Sequence, residues 1–305
     1  MNMNKTSIIY FKLFLLISLL LLACSKDEKN ELSEKDKNKN TTKEPFIIKP
    51  SFESIKDIVS LHGNLKSDIV IVNAQAGPLI TLDIAGLDNF ISRSNSKDLL
   101  YVNVHQTQTK QPDLFSLNIN INDGRRYTKE SVNNLKKVID FYSNIPEKTV
   151  YVLGMGYGGY LIQEFIANYG LGTVKEYLIV AARLDVEKVT CDICRYGQVP
   201  IYKYDAAGNF TIEIQPIKKS VYIHNMTMLS FLMGDTHYSE KLSHIKSLKH
   251  LTYIYGERDE ILGPLSIKEV EFLKSKGAEV ICAFRRNHSL ALISVARQIR
   301  RIFGI

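Results

Sequence analysis

The stretch TVYVLGMGYGGYLIQEFIANYG, residues 149–170, decides how the rest of the chain is read. Its first five residues form an apolar, largely β-branched run of the kind that fills a strand buried on both faces. Further on, Leu161, Ile162, Phe165, Ile166 and Tyr169 recur at helical spacing, and Gly170 stands where a helix closes on a C′ glycine. Between strand and helix lies GMGYGG, with Gly154, Gly156 and Gly158 at alternate positions. Glycine reaches backbone angles that other residues avoid, so a tight strand-to-helix turn centred on Gly156 is expected.

The same alternation extends in both directions. Strand-like runs occur at 68–73 (DIVIVN), 99–105 (LLYVNVH), 177–182 (YLIVAA), 251–255 (LTYIY) and 278–284 (AEVICAF). Helical patterns lie between them. Residues 131–142 carry Val132, Leu135, Val138, Ile139 and Tyr142 on one face, with Thr128 as a candidate N-cap. Residues 265–276 end at Gly277, and 290–303 read as one closing amphipathic helix. Strands alternating with helices predict right-handed crossovers and an α/β fold, a doubly wound, mostly parallel sheet. The rhythm breaks at about 183–248, which holds CDIC, the alternating NFTIEI and the apolar run MTMLSFLM at 226–233. That region reads as an insertion. Its apolar run either lines a pocket or packs in the core.

Three further positions complete a pattern. Asp259 follows the strand LTYIY within GERDEILG, His288 follows the last strand within RRNHSLAL, and Gln75-Ala76-Gly77-Pro78 follows DIVIVN. With the turn at Gly156, these resemble the α/β-hydrolase fold across residues 46–305. In that family a G-x-S-x-G elbow carries the nucleophile, and acid and histidine follow in this chain order. The resemblance puts Gly156 at the nucleophile position, Asp259 and His288 at the acid and base, and the insertion at 183–248 where the family carries its lid. Gln75–Pro78 resembles an oxyanion loop of the HGGP type. It implies oxyanion-hole donors from the backbone N–H of Tyr157 and of Ala76 or Gly77. Glu257 and Glu260 are rivals to Asp259, and Asp259 and His288 each have an ordinary structural role open to them.

The chemistry needs each of these parts. A serine hydroxyl is a weak nucleophile at neutral pH until histidine takes its proton and an acid orients the imidazole. Two backbone N–H groups then hold the developing oxyanion. Gly156 supplies no oxygen. A nucleophile position in a strained backbone conformation costs on the order of 1–3 kcal/mol, and glycine relieves that strain.

The ends of the chain bound its setting. The 305 residues carry a formal charge of +7, with 45% hydrophobic and 23% charged residues, as expected of a globular domain with a sizeable core. No dense basic stripe is interleaved with aromatics, which argues against nucleic acid as a partner. Lys5 precedes the apolar run FKLFLLISLLLLA, which ends at Cys24. Residues 1–23 read as a signal peptide too short for a good transmembrane helix. Leu21-Leu22-Ala23-Cys24 resembles a bacterial lipobox, which implies lipidation at Cys24, as against an ordinary cleaved signal with an incidental cysteine. Residues 24–45 are too polar to bury a core and read as a tether. Its start, Ser25-Lys26-Asp27-Glu28, resembles a tag that sends lipoproteins to the outer face of the outer membrane. Of the other cysteines, Cys191 and Cys194 form a lone CxxC, expected as a local disulfide or as free thiols, and Cys282 reads as a small core residue. Neither metal nor cofactor is expected.

Two functions follow from different weightings. The first is a lipid-anchored α/β-hydrolase-like protein that lacks the serine nucleophile and binds a small apolar ligand or a protein partner at the cell envelope. The second is an active esterase, lipase or peptidase that uses another nucleophile or water activated by Asp259 and His288. A purely structural envelope lipoprotein would leave the pocket unused.

Overall fold

The computed structural model describes residues 51–305 apart from Asp83. The leader, Cys24 and the tether through residue 45 lie outside the described residues. No helix among the described residues is long and apolar enough to cross a membrane.

The apolar runs become strands because each can bury both faces. Among the described residues, one sheet contains β1 (Val59–Gly63), β2 (Ile69–Ala74), β3 (Leu100–Val104), β4 (Thr149–Met155), β5 (Glu176–Val180), β8 (Leu251–Gly256) and β9 (Glu279–Ala283). Its spatial order is β1-β3-β2-β4-β5-β8-β9, parallel throughout except for the antiparallel β1–β3 pair. Adjacent residues of a strand feed opposite faces. Val150 and Val152 face one side, with Leu135 and Val138 of α2 (Ile121–Ser143) and Ile162 and Ile166 of α3 (Tyr157–Tyr169). Tyr151 and Leu153 face the other, with Leu87 and Phe90 of α1 (Ile84–Ser94), Val295 of α7 (His288–Ala296) and Phe303 of α8 (Ile299–Phe303). The expected doubly wound, mostly parallel sheet is therefore present.

The order of strands creates the site. From β2 the chain winds to β3 on one side and then to β4 on the other, so its direction of winding reverses between β2 and β4. The strands' carboxyl ends at such a reversal leave a crevice where ligands bind in open α/β sheets. Gln75–Pro78 leaves one strand there and Gly156 leaves the other.

Between β5 and β8 the insertion forms α4 (Lys188–Arg195), the hairpin β6 (Pro200–Tyr204) and β7 (Phe210–Ile214), and α5 (Val221–Gly234). The buried Arg183 ties its base to the core. Its guanidinium donates to both carboxylate oxygens of Glu269 in α6 (Ile267–Ser275), from Nε at 3.1 and 3.2 Å and from Nη2 at 2.9 Å. Asn225, fully buried in α5, accepts from the Ile119 amide at 2.9 Å and donates to the Leu117 carbonyl at 2.8 Å.

Several local expectations change. α2 starts at Ile121, capped by Asn120 and Asp123 in a reciprocal capping box, rather than after Thr128. The cap outweighs a polar first half that carries no apolar stripe of its own. The closing helix is two, α7 and α8, with Gln298 between them. Cys282 is exposed, not core: β9 is the edge strand of the sheet, and the face that Val280 packs against the core is left uncovered at the position of Cys282. Cys191 and Cys194 are free, buried thiols on α4.

Candidate active site

The turn at Gly156 has φ 53° and ψ −118°, a left-handed conformation that strains any residue with a Cβ. Its amide donates to the Val180 carbonyl at 2.9 Å, which pins the turn to β5. Gly158 is required for a different reason. A Cβ there would stand 2.2 Å from the Ala74 carbonyl oxygen. That close approach seats the start of α3 against the end of β2 and sets Tyr157 beside Ala76 and Gly77.

Asp259 and His288 come together at this turn. Asp259 Oδ2 lies 2.8 Å from His288 Nδ1. Asp259 Oδ1 accepts the Ile261 and Leu262 amides, each at 2.9 Å, and the side chain is 1% exposed. Two backbone bonds thus fix the carboxylate, and the imidazole makes the third. Burial opposes ionisation of Asp259, but the facing imidazole outweighs it and the carboxyl pKa is lowered from 3.8. Burial likewise acts to lower the His288 pKa. Asp259 outweighs that too, and the histidine ends above 6.5. The rival acids have other work. Glu260 accepts the His288 backbone amide at 3.0 Å, and Glu257 accepts the Arg285 amide at 2.8 Å.

Space at Gly156 is open toward the histidine. A Cβ placed there would have as its nearest neighbours the Ala181 carbonyl oxygen and His288 Cε1 at 3.9 Å, and His288 Nε2 at 4.0 Å. An oxygen one bond beyond that Cβ would come within hydrogen-bond reach of Nε2, ~2.7–3.0 Å.

Ala76, Gly77, Tyr157 and His288 share the wall of one cavity of about 270 Å³ with Gly156. The amide of Tyr157 lies in the first turn of α3, where an N–H has no intrahelical acceptor. The loop Gln75–Pro78 is held from behind. Gln75 donates to Thr109 Oγ1 at 3.1 Å and to the Thr81 carbonyl at 3.2 Å, and Gln106 donates to the Gln75 carbonyl at 2.6 Å.

The rest of the cavity is mainly apolar and comes largely from the insertion. Met226, Thr227, Ser230 and Phe231 of α5 line it, while Met228, Leu229 and Met233 of the same run pack in the core. Thr190, Cys191 and Cys194 of α4 line it as well. Sequence reasoning missed α4 here, although the i, i+3 spacing of CxxC would put both thiols on one helical face. Burial pushes the Cys191 and Cys194 thiols up to about 11 and about 12, so neither is a thiolate at neutral pH. The Ser230 and Thr227 hydroxyls donate to carbonyls one helical turn back, and Thr190 pairs with the Tyr202 hydroxyl.

By structure the chain is similar to MGS-M2, an α/β-hydrolase enzyme from a Medee basin deep-sea metagenome library. The two are 15% identical over 81% of this chain and 94% of that one, with a TM-score of 0.51. It is similar also to BpoC of Mycobacterium tuberculosis H37Rv, a candidate non-heme bromoperoxidase. That pair is 11% identical over 81% and 94% of the two chains, with a TM-score of 0.53. The fold is that of the α/β-hydrolases. By sequence, no family model and no curated protein matches the chain. In this chain the loop after β4 holds Gly156, the loop after β8 holds Asp259, and α7 begins at His288.

Proposed function

We propose that this chain is a binding protein built on the α/β-hydrolase scaffold, which takes a small, mostly apolar ligand in the cavity beside Gly156 and forms no acyl-enzyme. One observation carries the reading. His288 Nε2 faces the place of the nucleophile, and residue 156 provides no oxygen there. The assembled Asp259–His288 pair, the oxyanion loop and the apolar wall then serve to recognise a ligand instead of attacking it. The lipobox-like Leu21–Cys24 and the polar tether support anchoring by lipid at the cell envelope, with two or more chains giving stable attachment.

A second reading is favoured by the 2.8 Å bond between Asp259 and His288, which leaves His288 equipped to activate water directly. The test is turnover of short and medium activated esters by the full chain and by its Gly156→Ser and Gly156→Ser/His288→Ala variants, with His288→Ala alone beside them. The binding reading expects a silent wild type, turnover in Gly156→Ser, and loss of that turnover in the double variant. Wild-type turnover abolished by His288→Ala would replace it with hydrolysis by activated water.

A further inference from the structure

We propose that the ligand of this cavity carries its own hydroxyl, an alcohol with an apolar body, whose O–H donates to His288 Nε2 from the place of the missing serine oxygen. The inference rests on the ligand-binding reading above and names the head group that the site selects.

The tautomer of His288 is the first reason. Asp259 Oδ1 is taken by two backbone amides, and Oδ2 faces Nδ1 at 2.8 Å. A carboxylate held in that way is an acceptor, so Nδ1 carries the proton and neutral His288 presents a lone pair at Nε2. The lone pair points where a donor is wanted. A carbonyl or an ether oxygen at this place would set one acceptor against another.

The surroundings supply the second half of the match. A hydroxyl donates once and accepts twice. Tyr157, whose first-turn amide has no intrahelical acceptor, and the Ala76-Gly77 loop line the same cavity wall and can supply N–H donors to a ligand oxygen. A ligand O–H between His288 and these amides therefore satisfies both sides, as the side chain of a serine at 156 would. The hydroxyls of Thr190, Thr227 and Ser230 are held by other partners. Beyond the head group the wall passes to Val199, Phe231, Ile261 and Leu262, which suit a hydrocarbon body.

Calorimetric titration of the full chain with 1-octanol and with its isomer 1-methoxyheptane tests this. The two probes match in size, and only the alcohol has an O–H. Protection of Cys191 and Cys194 from alkylation reports that the cavity is filled. At a pH well above the His288 midpoint, the alcohol is expected to bind about tenfold more tightly than the ether, the effect of one hydrogen bond. Gly156→Ser should abolish that preference, because the Ser oxygen occupies Nε2, while Gly156→Ala should keep much of it.

The wild type gives an independent reading that needs no variant. Protonated His288 becomes a donor, so the preference should fade as pH falls through a midpoint above 6.5. The titratable groups beside His288 are Asp259 and Glu260 in the loop after β8, and Cys191 and Cys194 of α4 with Tyr157 and Tyr160 of α3 line the same cavity. Burial raises the pKa of those thiols and phenols, so they stay neutral through this range. Equal binding of both probes at high pH, with the cysteines protected, would overturn the hydroxyl inference and leave the binding reading standing. Failure of both probes to bind would overturn the two together.

Discussion

Replacing Glu269 by alanine should loosen the base of the insertion from the core, and the structure sets the size of the effect. Arg183 and Glu269 are 2% and 1% exposed. The carboxylate accepts from the Arg183 guanidinium and from the Leu184, Asp185 and Ser266 amides at 2.8, 3.0 and 2.6 Å. Removing one partner of a buried ion pair costs ~3–5 kcal/mol, because the other charge is left uncompensated. Glu187, 31% exposed, still bonds Arg183 Nη1 at 3.1 Å, which argues for the lower end of that range. At ~2–4 °C per kcal/mol for a domain of this size, the melting temperature should fall by about 6–12 °C.

Scanning calorimetry at neutral pH would measure it, with Arg183→Met/Glu269→Leu beside the single variant. The double variant should lose less, since it leaves no orphaned guanidinium. Burial opposes ionisation of Glu269, but Arg183 outweighs it and the folded pKa falls below 4.5. The stability contributed by this carboxylate is therefore present above pH 4.5 and is lost as pH falls through the folded value. The gap between wild type and Glu269→Ala should close on acidification. A drop of less than ~2 °C at neutral pH, or a gap constant down to strongly acidic pH, would refute the reasoning.

Three further outcomes are expected. Asp259→Asn should move the His288 midpoint from above 6.5 to below it, read by NMR of the imidazole, because burial then acts with less opposition; a midpoint that stays high would assign the effect to Glu260. Alkylation followed by mass spectrometry should label the exposed Cys282 well before Cys191 and Cys194, which react slowly through the cavity they line. Asn225→Ala should cost ~1–2 kcal/mol in denaturant unfolding, chiefly because it orphans the Ile119 amide in the interior.

Much of the site was legible because its parts are local. Gly154, Gly156 and Gly158 lie between a buried strand and an apolar-faced helix, and such a turn has few alternatives. Asp259 and His288 each follow a strand whose composition marks it. The sequence could not separate Asp259 from Glu257 and Glu260, because three acids in four residues all sit on one loop. Only the path of the loop turns Asp259 toward Nδ1 and gives Glu260 the backbone amide.

Other errors had the same origin. Cys282 sits in an apolar run, yet its exposure depends on β9 having no further neighbour. Strand β1, VSLHG, is short and weakly patterned, and it is fixed by pairing with β3. Arg183 follows YLIVAA with nothing local to mark its partner, and Glu269, 86 positions further on, meets it in the core.

The sequence by itself determined the alternation of strands and helices, the turn at Gly156 and the absence of an oxygen there. Periodicity, glycine chemistry and side-chain identity are properties of neighbouring residues. Tertiary structure alone decided which acid faces His288, how near that imidazole comes to position 156, and that α4 and α5 wall the cavity. These contacts join residues tens to more than a hundred positions apart, whose proximity follows from the winding of the sheet and leaves no local trace in the chain.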